Sequence, residues 1–158
     1  MGRPISPEYR LGRRLFFGVT DPSGLNLTFE LDGNRVYTHI DPRKLQPAGA
    51  QMVTTGLVMS VADDLAHATV AALKKRIGVT RETRLRFLKP LYKDEVARAD
   101  GTVTSAVGDV VHVLMRLLNA KEQLCVEAEL EVFLLGADQV RRMTPDGMVP
   151  ADLKRFLP

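Results

Sequence analysis

Polar and apolar positions change rhythm several times along this chain. Leu25, Leu27, Phe29 and Leu31 alternate with Asn26, Thr28 and Glu30, a period of two that predicts a strand. Asp32-Gly33-Asn34 predicts a tight connection, and Val36, Thr38 and Ile40 open a second strand, so the pair reads as a hairpin. From about Gly56 to Arg76 the pattern turns helical, with Ala62, Ala66, Ala68, Ala71 and Ala72 supplying small, strongly helix-forming side chains. Thr54 or Thr55 suits the N-cap, because either hydroxyl can accept from a first-turn N–H. Lys74, Lys75 and Arg76 suit the negative end, and Gly78 suits a stop. The front of this helix is apolar almost all round, which predicts cover on most sides.

Beyond the helix the chain reads as sheet. Thr83 to Leu88 predicts a strand ending before Lys89-Pro90, and Glu95 to Val107 a strand broken near Asp100-Gly101. Val110 to Leu118 is rich in β-branched and aliphatic residues, and Asn119-Ala-Lys121 turns it back. Leu124, Val126, Ala128, Leu130 and Val132 then face one way, with Cys125, Glu127, Glu129 and Glu131 opposite. Pro4 and Pro7 mark a loose lead-in; Tyr9 to Phe17 fits a short helix or an edge strand; Asp21 to Gly24 is a turn; residues 41–53 read as a loop. A hairpin, one long helix and three or four antiparallel strands make an α+β order. The expected organisation is a lead-in over 1–15, a single domain over 16–135 and a C-terminal extension over 136–158, with Met143 to Pro158 on the surface. A sheet curled round the helix explains its all-round apolarity. The leftover edge or sheet face then needs covering, which predicts a dimer.

Composition narrows the function classes. The chain has 158 residues, 45% of them hydrophobic, enough for one cored domain. A net charge of +3, from 22 basic and 19 acidic residues with no dense basic block, argues against a nucleic-acid face and suits a small anionic ligand. One cysteine, Cys125, excludes an internal disulfide and fits a reducing compartment. No run is read as a membrane span or a signal segment, so the expected location is cytoplasmic, without membrane insertion. His39, His67 and His112 give no tight metal spacing, and neither a metal nor a cofactor is expected.

The candidate chemistry lies in Gly56-Leu-Val-Met-Ser-Val-Ala-Asp63. Asp63 is a carboxylate in an apolar helical run, a costly placement unless it is paired, hydrated or used. Gly56 sits where free N–H groups at a helix start can hold a negative oxygen. An oxyanion donor followed two turns later by a carboxylate suggests acyl transfer, with thioester hydrolysis as the reading. Plainer roles stand beside this one. Asp63 fits a polar stitch to His67 one turn on, and Gly56 fits close packing. Ser60 reads as a small packing residue. Cys125 has no histidine partner and is not read as a nucleophile.

Three segments carry a family resemblance. Phe17-Gly-Val-Thr-Asp-Pro-Ser-Gly-Leu-Asn-Leu-Thr-Phe29 resembles a glycine turn leading into an N-P-x-G-L-x-L-x-F strand. Thr54-Thr-Gly-Leu-Val-Met-Ser-Val-Ala-Asp-Asp64 resembles H-G-G-x-x-x-x-L-x-D-E. Arg86-Phe-Leu-Lys-Pro90 resembles a strand ending x-F-L-x-P. In this order, from about Phe16 to Phe133, they resemble the hotdog-fold acyl-CoA thioesterase superfamily, in particular the small thioesterases of the phenylacetate-pathway type. The resemblance implies a curved antiparallel sheet wrapped around one central helix, and a homodimer, often a dimer of dimers, binding coenzyme A thioesters at the subunit interface. It makes Gly56 the oxyanion donor and Asp63 the base or nucleophile. Thr80 falls where some members carry a water-assisting serine, and Asp64 falls on a second acidic position, read as structural or substrate-facing rather than catalytic. Thr54 and Thr55 replace the family's His-Gly, and some hotdog proteins only bind acyl groups, so non-catalytic acyl-CoA or acyl-carrier binding is the alternative.

Gly56 and Asp63 are seven residues apart, about 10.5 Å along a helix, too far to act on one carbon within one chain. The chemistry therefore requires two antiparallel subunits, each giving one group. Thr55 and Met59, with Phe29, are expected near the acyl group. Arg84 and Arg86, beside Arg81 and Lys89, are candidates for the anionic end of coenzyme A or for a solvated sheet face.

Overall fold

The apolar run that the sequence marks as a covered helix is one: α2 spans Thr55–Lys74. The structure is a computed structural model, and it describes residues 2–4, 25–46, 49–144 and 151–158. The alternative readings of Tyr9 to Phe17, the turn at Asp21 to Gly24 and the first half of the first family segment lie outside the described residues. In chain order the strands are β1 (Arg3–Pro4), β2 (Glu30–Asp32), β3 (Arg35–Ile40), β4 (Gly78–Phe87), β5 (Ala97–Val107), β6 (Val110–Leu118) and β7 (Leu124–Leu134). They form one antiparallel sheet in the order β1-β2-β3-β5-β6-β7-β4, so β4, which follows the helix, is an outer strand.

The helix lies across this sheet against β3 through β7. Val58, Val61, Leu65 and Val70 are buried, as are Val36, Val113, Met115 and Leu130 from the strands facing them. By length and composition alone α2 would suit a membrane, with a mean hydropathy of 1.3, but 61% of that window is buried inside the chain. The sequence reading of no membrane-length run is corrected to that extent.

The hairpin at Asp32–Arg35 forms as expected, although Leu27 and Phe29 are buried ahead of the short β2 rather than within it. Thr54 is the N-cap, its side chain accepting from the Leu57 N–H. The stop is not Gly78: Lys75, at φ 54°, takes the left-handed conformation that closes the helix, and Gly78 starts β4. That strand begins five residues before the expected Thr83, since Thr80-Arg-Glu-Thr83 offers no apolar alternation to read. An added Cβ at Gly78 would lie 2.5 Å from Val132 Cγ1 and 2.9 Å from the Phe133 carbonyl oxygen, so only glycine lets β4 approach β7 there. The 41–53 segment contains a one-turn helix, α1 (Pro42–Leu45), capped by Asp41. The described parts of the C-terminal extension carry short helical elements. Ala137–Met143 forms helix α3 and Ala151–Phe156 a 3-10 turn, and Val140 and Phe156 are buried with Ile77 and Leu135 in a small second core.

The expected break at Asp100-Gly101 is absent, and β5 runs through it. Gly101 is there for space: its missing Cβ would sit 2.5 Å from Thr69 Oγ1 and 3.0 Å from Leu65 Cγ. Thr69 is fully buried and donates to the Leu65 carbonyl at 2.7 Å, so it has little room to yield. Gly101→Ala is therefore expected to cost about 1–3 kcal/mol by overpacking, read from urea unfolding. A variant as stable as the parent would show that helix and sheet separate freely here.

Candidate active site

Burial of α2 leaves one lengthwise stripe uncovered: Gly56, Met59, Asp63, His67, Ala71 and Lys74, spaced three or four residues apart. Met59 is 40% exposed, and the side chains of Asp63 and His67 are 42% and 26% exposed. Asp64, one position on, is rotated about 100° round the helix and is only 6% exposed. Of its structural and substrate-facing readings, this burial accords with the structural one: within the protomer Asp64 is a buried carboxylate.

Beside this stripe runs β4. Thr80 Oγ1 donates to Asp63 Oδ1 at 2.7 Å and lies 3.3 Å from His67 Nε2, which is itself 3.4 Å from Asp63 Oδ1. A register shift against β7 between Thr80 and Glu82 sets this up. One extra residue in a strand reverses which face the following side chains take. Thr80, before the bulge, and Leu85, after it, therefore both reach the helix side although five positions separate them. Asp63 has the His67 neighbour that the plainer sequence reading allowed, and the threonine as well.

At the other end of the stripe, the Leu57 N–H goes to Thr54 Oγ1 at 3.3 Å and the Val58 N–H to the Thr54 carbonyl at 3.1 Å. The Thr54 N–H is taken by the Gln46 side chain at 3.3 Å. Among the described residues the Gly56 N–H has no acceptor, and nothing lies within 4 Å of where a Cβ would stand. Gly56 is thus not explained by close packing within the protomer. An open amide in the first turn of a 20-residue helix faces accessible space with the helix dipole behind it. Ser60 donates back to the Gly56 carbonyl at 3.0 Å, a local bond consistent with a packing role.

A groove of about 390 Å³ opens beside the helix start. Met52, Val53, Val58, Phe87, Leu91 and Val126 give it an apolar lining, Thr55 lies at its margin on the helix, and Lys89 is its one ionic residue. The sequence missed most of this lining, because 52–53 and 87–91 are connecting segments without periodicity. Phe29, expected near the acyl group, is instead in the core at 2% exposure.

Arg84 and Arg86 are not brought to the stripe or the groove. They project from the other face of the sheet, with Arg84 3.9 Å from Glu129 and Arg86 3.5 Å from Glu127, and Arg81 makes the same kind of pair with Glu131 at 3.0 Å. Within one chain this is the arrangement of the solvated-face alternative, with the neighbouring β7 glutamates balancing the arginines. Cys125 is buried rather than on the glutamate face, because the register shifts beside it at Leu117/Leu118. Burial pushes its thiol up from the ordinary value, in keeping with its rejection as a nucleophile. Among the described residues no group of His, Cys, Asp and Glu is arranged to hold a metal ion.

Residues 51–126 match the model of the thioesterase superfamily. No curated protein matches the chain. Among solved structures, a hypothetical thioesterase protein of Streptococcus pneumoniae TIGR4, crystallised with coenzyme A, is 15% identical with a TM-score of 0.67, over 82% of this chain and 95% of that one. The PaaI protein of the E. coli phenylacetic acid degradation operon is 13% identical with a TM-score of 0.64, over 82% and 99%. Another thioesterase superfamily protein is 19% identical with a TM-score of 0.61, over 69% of this chain and 53% of that one. At these identities the likeness is one of fold.

The cap that frames the open amide is testable alone. Thr54→Ala is expected to lower stability by about 1 kcal/mol, and Thr54→Ser to restore it, measured by thermal unfolding. Equal stability of parent and alanine variant would mean that the Leu57 N–H finds another acceptor.

Proposed function

We propose that this chain, a hotdog-fold protein of the thioesterase superfamily, hydrolyses acyl-coenzyme A thioesters at an interface between two copies of itself. The observation carrying this reading is that an unspent backbone amide at Gly56 and a threonine-held carboxylate at Asp63 share the one uncovered stripe of an otherwise buried helix. They lie about 10.5 Å apart along the axis, so a single acyl carbon must take its oxyanion donor from one protomer and its carboxylate from the other.

The fold supports that pairing. β4 is a ten-residue strand that, among the described residues, has one edge unpaired alongside the stripe, and such an edge calls for cover. Antiparallel pairing of two β4 edges about a two-fold axis would set the two stripes side by side with opposite polarity, bringing Gly56 of one towards Asp63 of the other. The same geometry leaves a further pairing into a dimer of dimers open to the outer sheet faces.

In the reaction the thioester carbonyl oxygen accepts from the Gly56 N–H, where the helix dipole favours the charge that develops. Asp63, oriented by Thr80, takes a proton from water as the water oxygen bonds to the acyl carbon, or attacks that carbon itself. Collapse of the tetrahedral intermediate breaks the C–S bond and expels coenzyme A as thiolate, which takes up a proton; where Asp63 itself attacks, this leaves a mixed anhydride on Asp63 that water then hydrolyses, restoring the carboxylate. The products are a carboxylic acid and a free thiol, and no metal or cofactor takes part. The groove beside the helix start takes the apolar part of the substrate, with Thr55 and Met59 at its approaches and Lys89 as the nearby cation. The Streptococcus pneumoniae protein has also been crystallised with alanine replacing one aspartate and, separately, one threonine (each 16% identical to this chain, over 70% of it and 92% and 91% of those chains, TM-scores 0.64 and 0.63), the residue types of the Asp63–Thr80 pair.

A panel of short, medium, long and aromatic acyl-CoAs, followed by thiol release, tests the reading. At least one is expected to turn over, and Asp63→Asn to reduce kcat by about 10²–10⁴-fold. The buried Cys125 thiol keeps the protein's own background low. Tight binding across the panel with no thiol released would instead favour the acyl-binding alternative, for which Thr54-Thr55 in place of His-Gly speaks. Independently, the protein is expected to sediment as a dimer or larger. A monomer that is fully active would overturn the shared site.

A further inference from the structure

The Asp63–Thr80 pair has a third neighbour that the reaction above leaves unused. His67 Nε2 stands 3.3 Å from Thr80 Oγ1 and 3.4 Å from Asp63 Oδ1, while Thr80 Oγ1 lies 2.7 Å from the same carboxylate oxygen. The directions of these bonds follow from what each atom has to give. An ionised carboxylate only accepts, so the single hydroxyl proton of Thr80 goes to Asp63. Toward His67 the hydroxyl oxygen then has only lone pairs to offer. A bare Nε2 would face two acceptor oxygens at once, whereas a protonated Nε2 donates to Thr80 Oγ1, at the long end of the hydrogen-bond range, and sets a positive edge beside the carboxylate.

We infer that His67 is a positioning residue for Asp63: its Nε2–H holds the Thr80 hydroxyl oxygen so that the hydroxyl proton stays directed at the carboxylate. This rests on the reading that Asp63 acts on the acyl carbon. A threonine side chain is stiff about its Cα–Cβ bond, but its hydroxyl hydrogen turns freely. Left alone, that hydrogen would be shared between Asp63 and passing water, and the carboxylate would lose this donor whenever the hydroxyl turned away. A second donor on the hydroxyl oxygen removes that freedom. The spacing suits the task. His67 follows Asp63 by one helical turn on the same stripe, so the two side chains stack with Thr80 reaching in from β4. Partial burial strengthens each bond of the chain by lowering the local dielectric. His67 needs no contact with the substrate for this role.

Two measurements test the inference, one of them independent of turnover. Long-range proton–nitrogen correlation spectra of the intact protein, with the His67 signals identified by their loss in His67→Gln, are expected to show neutral His67 protonated at Nε2 and bare at Nδ1. The opposite tautomer overturns the inference. In thiol-release kinetics, His67→Leu is expected to lower kcat about ten- to a hundredfold, the scale of a misplaced reacting group, with KM little changed. His67→Gln, whose side-chain amide can put an N–H near the place of Nε2, is expected to restore kcat to within about threefold of the parent. Because the effect runs through the hydroxyl, the double variant His67→Leu/Thr80→Val should be no slower than Thr80→Val alone. A leucine variant with parental kcat, a loss that glutamine does not restore, or a double variant slower than Thr80→Val each overturns it. If the parent itself releases no thiol from any acyl-CoA, the thioesterase reading falls, and the tautomer alone decides whether the hydrogen-bond chain exists.

Discussion

An α-helix turns once every 3.6 residues, so a sheet that covers most of α2 leaves it a single accessible row. Gly56, Asp63 and His67 are on that row, and Thr80 reaches it from the neighbouring strand. Covering the helix supplies the hydrophobic drive to fold, with Val61, Ala62, Leu65 and Ala66 wholly enclosed. The same covering decides which positions remain for chemistry. Asp63 and Asp64 illustrate the sorting: adjacent in sequence and identical in type, they differ from 42% exposure of the side chain to 6% of the residue because a single helical step separates them.

Much of this was legible in the amino-acid order. The alternation of Leu124 to Val132, the hairpin at Asp32-Gly-Asn34 and the alanine-rich helix appear where their periods place them, because each period reports a face that is buried. Gly56, Asp63 and Thr80 were legible as a set from the family resemblance, and Asp63 and Thr80 do meet. What was not legible depends on contacts between distant segments. Gly101 looks like a strand breaker until Thr69 is packed against it. The start of β4 is polar in sequence because only one of its faces meets the helix. Arg84 and Arg86 looked free until β7 set glutamates opposite them. The groove at the helix start is assembled from loops whose residues share no period.

The two ends of the stripe meet different physical needs. At Gly56 the feature is vacancy: no side chain, no acceptor for the amide among the described residues, and a cap that uses the next N–H along. At Asp63 the requirement is company, from a hydroxyl and a ring nitrogen that fix one oxygen. A single helix provides both because its first turn has unspent donors by construction, while its middle has a full complement of backbone bonds and only side chains to offer. The extent of one helix thus keeps the two functions from interfering.

The charged outer face of β4 and β7 bears on how the strand finds its place. Arg84 opposes Glu129 and Arg86 opposes Glu127, but β7 carries a glutamate at every second position, and moving β4 by two residues would still set arginine against glutamate. The ionic ladder is therefore degenerate with respect to such a displacement. The close approach at Gly78, where a methyl group would collide with Val132 and the Phe133 carbonyl, lifts that degeneracy, since a two-residue shift would press Thr80 or Arg76 into a gap that admits only hydrogen. The alignment of a hydroxyl with its carboxylate is thus anchored two residues away, by an atom that is missing.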